Sequence, residues 1–278
     1  MNLSINKMKK NFSCGFCNSY SFSIKFQYEE PPKGETKFNL NNQSYKRHFN
    51  VCNSCGHWLA EHEIELKNFY TKEYMDSTYS NKILETFEKI ISIPEDKSDN
   101  SGRIKRIINF KEKNIPNKKD INLLDIGSGL GVFPYAVKKT GWNCTAIDPD
   151  FRSVEHIKKR VGVNAIHGNF MDIKLKDSYD IITFNKVLEH VIDPKSLLKK
   201  AKTYLGKDGF IYIEVPDAEK ASAMGKEREE FFIDHLHVFS KLSLELMCKD
   251  QGFKVVRIGR LREPSDKFTL FVFLSVSA

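Results

Sequence analysis

From Asn122 onward the chain alternates short apolar runs with amphipathic ones, and that alternation leaves few folds open to it. NLLDIG, NCTAIDPD, NAIHG, YDIITFNKV and GFIYIEVPD read as strands. VFPYAVKKTG, VEHIKKRVG and PKSLLKKAKTYLG read as helices, the last opened by proline and closed by glycine. The expected outcome is an α/β fold: an open sheet of parallel strands joined by crossover helices, with its ligands at the carboxyl ends of the strands. The loop after the first of these strands is Asp125-Ile-Gly127-Ser-Gly129-Leu-Gly131. Its glycines permit a tight turn and let the backbone approach a ligand that a Cβ would block. The G-x-G-x-G spacing differs from the G-x-G-x-x-G of dinucleotide sites, and a carboxylate just ahead of the first glycine suits an ammonium group better than a pyrophosphate. Seventeen residues beyond Gly131, Asp148 ends the second strand, where a carboxylate accepts from ribose hydroxyls. The pattern points to a nucleoside carrying a cationic amino acid.

The N-terminal region is organised differently. Cys14-Gly-Phe-Cys17 and Cys52-Asn-Ser-Cys55-Gly56 are separated by 34 residues. Each C-x2-C turn sets two thiolates on one side of a knuckle, and two knuckles complete a tetrahedral S4 site suited to structural Zn²⁺. Between them SFSIKFQY and TKFNL are strand-like and PPKG is a turn signal, so residues 1–60 read as a zinc ribbon built on a hairpin. A stretch this short and this poor in aliphatic side chains gains folding free energy from the metal. A disulfide framework is the rival reading, disfavoured in a reducing compartment. His57 follows the second pair closely, but four cysteines suffice as ligands. Cys144 and Cys248 fall in a strand and a helix and read as core residues.

Residues 61–115 form a helical bridge or lid: NKILETFEKIISI repeats apolar positions at helical spacing, and PEDKSDNSGR interrupts it. The tyrosines and phenylalanine at Phe69, Tyr70, Tyr74 and Tyr79 suit either ligand contact or packing between domains. At 278 residues the chain accommodates a large domain, residues 116–278, and these smaller companions. The formal charge of +8 is concentrated at the N-terminus, where residues 1–60 hold eight Lys/Arg against three Asp/Glu. Of the 44 basic residues 35 are lysine, the less suited cation for bidentate phosphate or base recognition, so a solvated lysine-rich surface is favoured over a nucleic-acid footprint. The first residues lack the apolar core of a secretory signal, and the longest apolar run, Leu270 to Val276, is strand-length. A soluble cytoplasmic protein without a membrane partner is expected.

From about residue 120 to 278 the chain resembles class I S-adenosylmethionine-dependent methyltransferases. LLDIGSGLG resembles the family's first motif, AIDPD its ribose-binding strand end, HGNFMDI its adenine-side loop and YDIITFNKVLEHVIDP its fourth motif. GFIYIEVP resembles its fifth strand, and KVVRIGRLRE with KFTLFVFLSVS its sixth and seventh. The resemblance implies a seven-stranded Rossmann-like sheet with S-adenosylmethionine as cofactor. It places Asp125, Gly127, Gly129 and Gly131 on the methionine side, and Asp148 with Pro149 at the ribose. Asn169 stands where the family has Asp, so the adenine contact is assigned among Asn169, Phe170 and Asp172. Asn185 and Lys186 face the methyl donor, with Glu189 and His190 just beyond, where helix-start stabilisation is the alternative role.

The acceptor side falls in Glu230-Phe-Phe-Ile-Asp-His-Leu-His-Val-Phe-Ser240, with Ser240 capping the next helix. His235 is the candidate general base, oriented by Asp234; two histidines two apart diverge, so one of His235 and His237 is expected to reach a substrate. The zinc module, bridge and His-containing segment together resemble zinc-containing methyltransferases of bacterial sugar pathways. The sugar C-methyltransferases carry Tyr-x-Glu-His where this chain has Phe232-Ile-Asp234-His235, and they extend into a further domain. Both departures favour a hydroxyl of a sugar, nucleotide-sugar or glycan precursor. An RNA methyltransferase using the ribbon for recognition, a sugar C-methyltransferase and a non-enzymatic remnant of the fold are the alternatives, the last opposed by an intact DIGSGLG loop.

Overall fold

A computed structural model of the chain describes residues 12–36, 44–62 and 82–276. Three strands lie in the N-terminal region, β1 Phe22–Tyr28, β2 Arg47–Cys52 and β3 Trp58–His62. Next come β4 Asn122–Ile126, β5 Asn143–Asp148, β6 Asn164–His167, β7 Tyr179–Asn185 and β8 Leu205–Pro216, and then β9 His237–Val238, β10 Phe253–Arg262 and β11 Phe268–Val276. Seven of them form one sheet in the order β10-β11-β8-β7-β4-β5-β6. The strands β6, β5, β4, β7 and β8 pair in parallel, and β11 is antiparallel to both neighbours. The central strands are apolar on both faces because helices cover both, and Leu123, Leu124, Ile181, Ile182, Ile211 and Ile213 are fully buried.

The chain leaves β4 toward β5 on one side and later returns to β7 on the other. The switch point between β4 and β7 opens a crevice at their carboxyl ends. The helix Asp99–Asn114 lies over one face, capped by Ser98, whose hydroxyl accepts from the Ser101 N–H. Its Ile107 and Phe110 join Phe133, Val137, Phe210 and Phe273, with Phe110 stacked on Phe273 at 3.9 Å. The helices Pro194–Lys202 and Lys241–Asp250 cover the other face through Leu197, Leu198, Leu244 and Met247. Cys144 and Cys248 are both buried in these layers.

The second sheet runs β1-β2-β3-β9. SFSIKFQY supplies β1, which pairs antiparallel with β2, and β2 runs straight into the second cysteine pair. Residues 37–40 of TKFNL lie outside the described residues. The fourth strand, β9, comes from the second half of the chain and pairs with β3 through Trp58–Val238 and Leu59–His237. Tyr28, Phe49 and Trp58 accordingly share one small core with Phe231, Ile233 and Val238. The bridge shows helices Ile83–Ile91 and Asp99–Asn114. The expected contacts of Phe69, Tyr70, Tyr74 and Tyr79 lie outside the described residues. Among the described residues no helix is long and apolar enough to cross a membrane.

Candidate active site

A cavity of about 680 Å³ opens at the switch point and is lined from both halves of the chain. Its floor on one side is the loop after β4. Gly127, Gly129 and Gly131 all take left-handed backbone conformations. A Cβ on Gly127 would lie 2.7 Å from Val187, and one on Gly131 2.7 Å from Ile157, so neither position admits a larger residue without displacement. Gly131 leads into the helix Val132–Lys139.

Two carboxylates flank this loop. Asp125 ends its strand with Oδ1 accepting from the Thr183 hydroxyl at 2.7 Å and the Asn185 amide at 2.9 Å. Asp148 accepts from the backbone N–H groups of Gly129 at 2.7 Å and Asp150 at 2.9 Å. Burial dominates both: each carboxyl is pushed up to about 6 against the pull of its hydrogen bonds. Asn185 also lines the cavity, and its Oδ1 is buried without a hydrogen-bond partner among the described residues. This edge therefore presents acceptors, as a ligand bearing an ammonium group and hydroxyls requires.

The opposite wall carries the acceptor-side segment. His235 lines the cavity, and its Nδ1 lies 2.9 Å from the Glu230 carbonyl, a bond that fixes the ring with N–H at Nδ1 and the lone pair at Nε2. Burial lowers its pKa below the ordinary value, so the ring is neutral near pH 7. His190 packs edge-on against it at 4.8 Å between ring centroids. Asp234, expected beside His235, reaches His190 as well. Its carboxylate faces His190 at 3.6 Å and its carbonyl lies 2.9 Å from the same Nδ1. Glu189 is fully buried, lines the cavity, and has neither carboxylate oxygen hydrogen-bonded among the described residues. One ligand atom each of Glu189, His190 and His235 falls within 4.8 Å of the others. Of the two histidines two apart, His235 reaches the cavity, whereas His237 turns away to meet His57 at 3.0 Å.

Pro149 and Asp150 line the cavity beside Asp148, whereas Asn169, Phe170 and Asp172 are not among its lining residues. Asn169 uses its side chain to accept from the Met171 N–H, Phe170 is buried against Tyr204, and Asp172 is exposed. Lys186, at the end of β7, is held in a left-handed conformation (φ 61°), with Nζ donating to the Thr269 hydroxyl at 2.5 Å. Burial lowers its pKa.

Sequence reasoning misses several lining residues. Arg103, on the helix Asp99–Asn114, reaches the cavity and donates Nε and Nη2 to Glu214 at 2.8 and 2.6 Å. Arg106 adds a 2.6 Å bond to the other Glu214 oxygen. Against the upward push of burial, these two guanidiniums hold Glu214 at about 2. Two of only nine arginines standing one helical turn apart is the signal that could have found them. Gly34 and Thr36, between β1 and β2, also line the cavity, as do Phe232 and Lys267.

Away from the cavity, Cys14, Cys17, Cys52 and Cys55 bring their sulfurs within 4.8 Å of one another, and all are free thiols. The Sγ atoms of Cys14 and Cys55 are 3.6 Å apart and those of Cys17 and Cys52 3.4 Å. A tetrahedron of ~2.3 Å Zn–S bonds has edges of roughly 3.8 Å, so the donor set fits that ion. The residue after each pair, Asn18 and Gly56, adopts positive φ and returns its N–H to the first cysteine's carbonyl at 2.8 Å.

Comparison with known proteins agrees with this geometry. The chain matches the family described as a methyltransferase domain over residues 98–258, more than half its length. It is 32% identical over 105 residues to a mitochondrial ubiquinone biosynthesis O-methyltransferase of Schizosaccharomyces pombe, covering 34% of this chain and 38% of that one. It is 28% identical over 101 residues to the ubiquinone biosynthesis O-methyltransferase of Actinobacillus pleuropneumoniae serotype 5b, covering 32% and 43%. The chain thus spans less than half the length of these curated relatives. Among solved structures, a magnesium protoporphyrin IX methyltransferase from Synechocystis PCC 6803 with bound S-adenosylhomocysteine superposes with a TM-score of 0.57 at 10% identity, over 73% of this chain and 97% of that one. The plantazolicin methyltransferase BpumL gives 0.57 at 15% identity, over 73% and 93%.

Proposed function

The chain belongs to the methyltransferase-domain family, and from that premise we propose that it is an S-adenosylmethionine-dependent enzyme whose acceptor is a hydroxyl of a small molecule, borne by a sugar, nucleotide-sugar or glycan precursor. The observation that carries this reading is the facing of two chemistries across one cavity. The glycine loop with Asp125 and Asp148 lies on one side, and Glu189, with no donor among the described residues, lies beside His235 on the other. A buried carboxylate without a donor is costly, about 1–3 kcal/mol or more, and a ligand bringing hydroxyl protons relieves that cost. The names of the curated relatives, both O-methyltransferases, support oxygen as the accepting atom.

Asp125 and Asn185 would hold the cofactor's ammonium group, and Asp148 its ribose hydroxyls. Gly127 and Gly129 let the backbone close against it, and Arg103 adds positive charge for its carboxylate. Bound there, S-adenosylmethionine supplies a methyl group on a positively charged sulfur, already activated toward attack. Glu189 accepts from the acceptor and orients it, and His235 takes the hydroxyl proton on Nε2 while its Nδ1–H stays on Glu230. The imidazolium so formed is balanced by the Glu189 and Asp234 carboxylates. Holding the acceptor against Glu189 and His235 within the same cavity would contribute the rest, since an oriented pair replaces a bimolecular encounter.

RNA is the weaker acceptor. The cavity is lined by Asp125, Asp148, Asp150, Glu189, Glu229, Glu230 and Asp234 against Arg103, Lys186 and Lys267, a balance that repels a phosphate backbone. The four cysteines are assigned to structural zinc. The test is release of S-adenosylhomocysteine across a panel of sugars and nucleotide-linked sugars, with ribosomal RNA in parallel. Turnover with a hydroxylated small molecule supports the reading, and turnover with RNA alone overturns it.

A further inference from the structure

The segment that carries Asp234 and His235 has little regular structure of its own, only the turn Glu229–Phe231 and the two residues of β9. It is held from two sides. From the large sheet, the Glu189 carbonyl accepts from the N–H groups of Leu236 at 2.8 Å and His237 at 3.1 Å, and the Pro216 carbonyl from Phe239 at 3.2 Å. The cysteine module holds it from the other side. The Ile233 N–H donates to Glu35 at 2.7 Å, the Ala60 N–H to the Leu236 carbonyl at 2.9 Å, and the Ser240 hydroxyl to the Cys55 carbonyl at 2.5 Å. His57, two residues past Cys55, meets His237 at 3.0 Å and the Ser243 hydroxyl at 3.4 Å. Phe16, inside the first knuckle, packs on the rings of His57, His237 and Phe239. At Gly56, in positive φ, a Cβ would stand 3.3 Å from that of Ser240.

The contacts of Cys55, Gly56 and His57 converge on the second knuckle. Cys55 presents its sulfur to the metal site and its carbonyl to Ser240, so one residue's placement determines both. We propose that the four-cysteine module is the positioning device of the acceptor side: its occupancy by metal fixes the second knuckle, and His57 and Ser240 transmit that placement to the segment bearing His235. Without a cation, the four sulfurs within 4.8 Å of one another have no ion to bridge them, and the knuckle loses the tie that holds it shut. His57 and Ser240 are positioning residues, since neither lines the cavity. The catalytic consequence rests on the role given to His235; the structural linkage does not, and the test reads them separately.

The experiment compares the full chain loaded with zinc, the same chain stripped by a chelator under reducing conditions, and the zinc-loaded variants His57→Ala and His57→Gln. Amide hydrogen exchange is followed in residues 233–239 and in 122–148, with S-adenosylhomocysteine affinity and zinc content measured alongside. Stripping or His57→Ala is expected to speed exchange in 233–239 about tenfold or more, with 122–148 unchanged and cofactor affinity within about twofold. His57→Ala is expected to retain its zinc, and His57→Gln, which keeps a hydrogen-bonding side chain, to restore part of the protection. Unchanged exchange in 233–239 overturns the proposal. So does a uniform rise that includes 122–148 with loss of cofactor binding, because the module would then be a general staple of the fold. If the stripped chain unfolds, His57→Ala, with all four thiolates intact, still decides the matter.

Discussion

The imidazole of His235 has one nitrogen committed to the Glu230 carbonyl and lines the cavity, and the proposed reading gives its other nitrogen the acceptor's proton. Removing it in His235→Ala is expected to lower turnover by about 10²–10⁴-fold, the range of a lost general base, with cofactor affinity nearly unchanged. Burial sets the direction of the pH dependence. Because the ring's pKa lies below 6.5, the acceptor kcat/KM should be level at neutral pH and fall only on the acid side. Glu189→Gln should raise the acceptor KM by about 10-fold or more, because a charged hydrogen-bond acceptor is exchanged for a neutral one. Asp125 and Asp148 titrate the other way around the site. Their pKa values are raised to about 6, so the native state holds extra protons between about pH 4 and 6, and the unliganded protein gains stability from these groups as pH falls through that window. A cofactor that needs both carboxylates ionised competes with those protons. Its affinity, followed by calorimetry, should weaken by about tenfold or more from pH 7.5 to 5. Affinity level across that range would contradict the assignment of both residues.

At the scale of elements, the loop after β4 and the segment 230–240 meet different demands. The first is set by local sequence: positive φ at three glycines, with no space for a Cβ at two of them. Such a loop is legible from the chain alone, as are Asp125, Asp148, the seven strands and the paired cysteines. The second depends on tertiary approach. Nothing local announces that His237 will pair with His57, that β9 will extend a sheet begun at residue 22, or that Asp234 will face His190. Gly34, Thr36 and Arg103 were likewise hidden, because their place at the cavity follows from packing of the module and helix on the large sheet. The turn at Asn169, Phe170 and Asp172 shows the converse. Its motif is recognisable, yet Phe170 is drawn into the core beside Tyr204 and the turn stays clear of the cavity lining. Phe231, fully buried among Phe26, Phe49 and Trp58, ties the two regions together. Phe231→Ala should destabilise the chain by about 3–5 kcal/mol in denaturant unfolding, a core deletion in which both sheets lose contacts.

Across the whole molecule, the cavity is the place where distant regions of sequence converge: the cysteine module, the helices Ile83–Ile91 and Asp99–Asn114, the carboxyl ends of the central strands and the segment 229–235. The module supplies part of the wall, through Gly34 and Thr36, and shares with the large domain the hold on the segment bearing His235. The paired arginines beneath Glu214 join helix to sheet through a buried charge cluster, where loss of one partner leaves a charge uncompensated. The central claim is methyl transfer to oxygen. It is tested most directly by supplying S-adenosylmethionine with an isotopically labelled methyl group to the enzyme and a panel of sugars and nucleotide-linked sugars, then locating the label in the product. The expected result is a labelled methyl on a hydroxyl oxygen, with product lost in His235→Ala. Label on carbon or nitrogen, or label recovered only in RNA, would contradict the account.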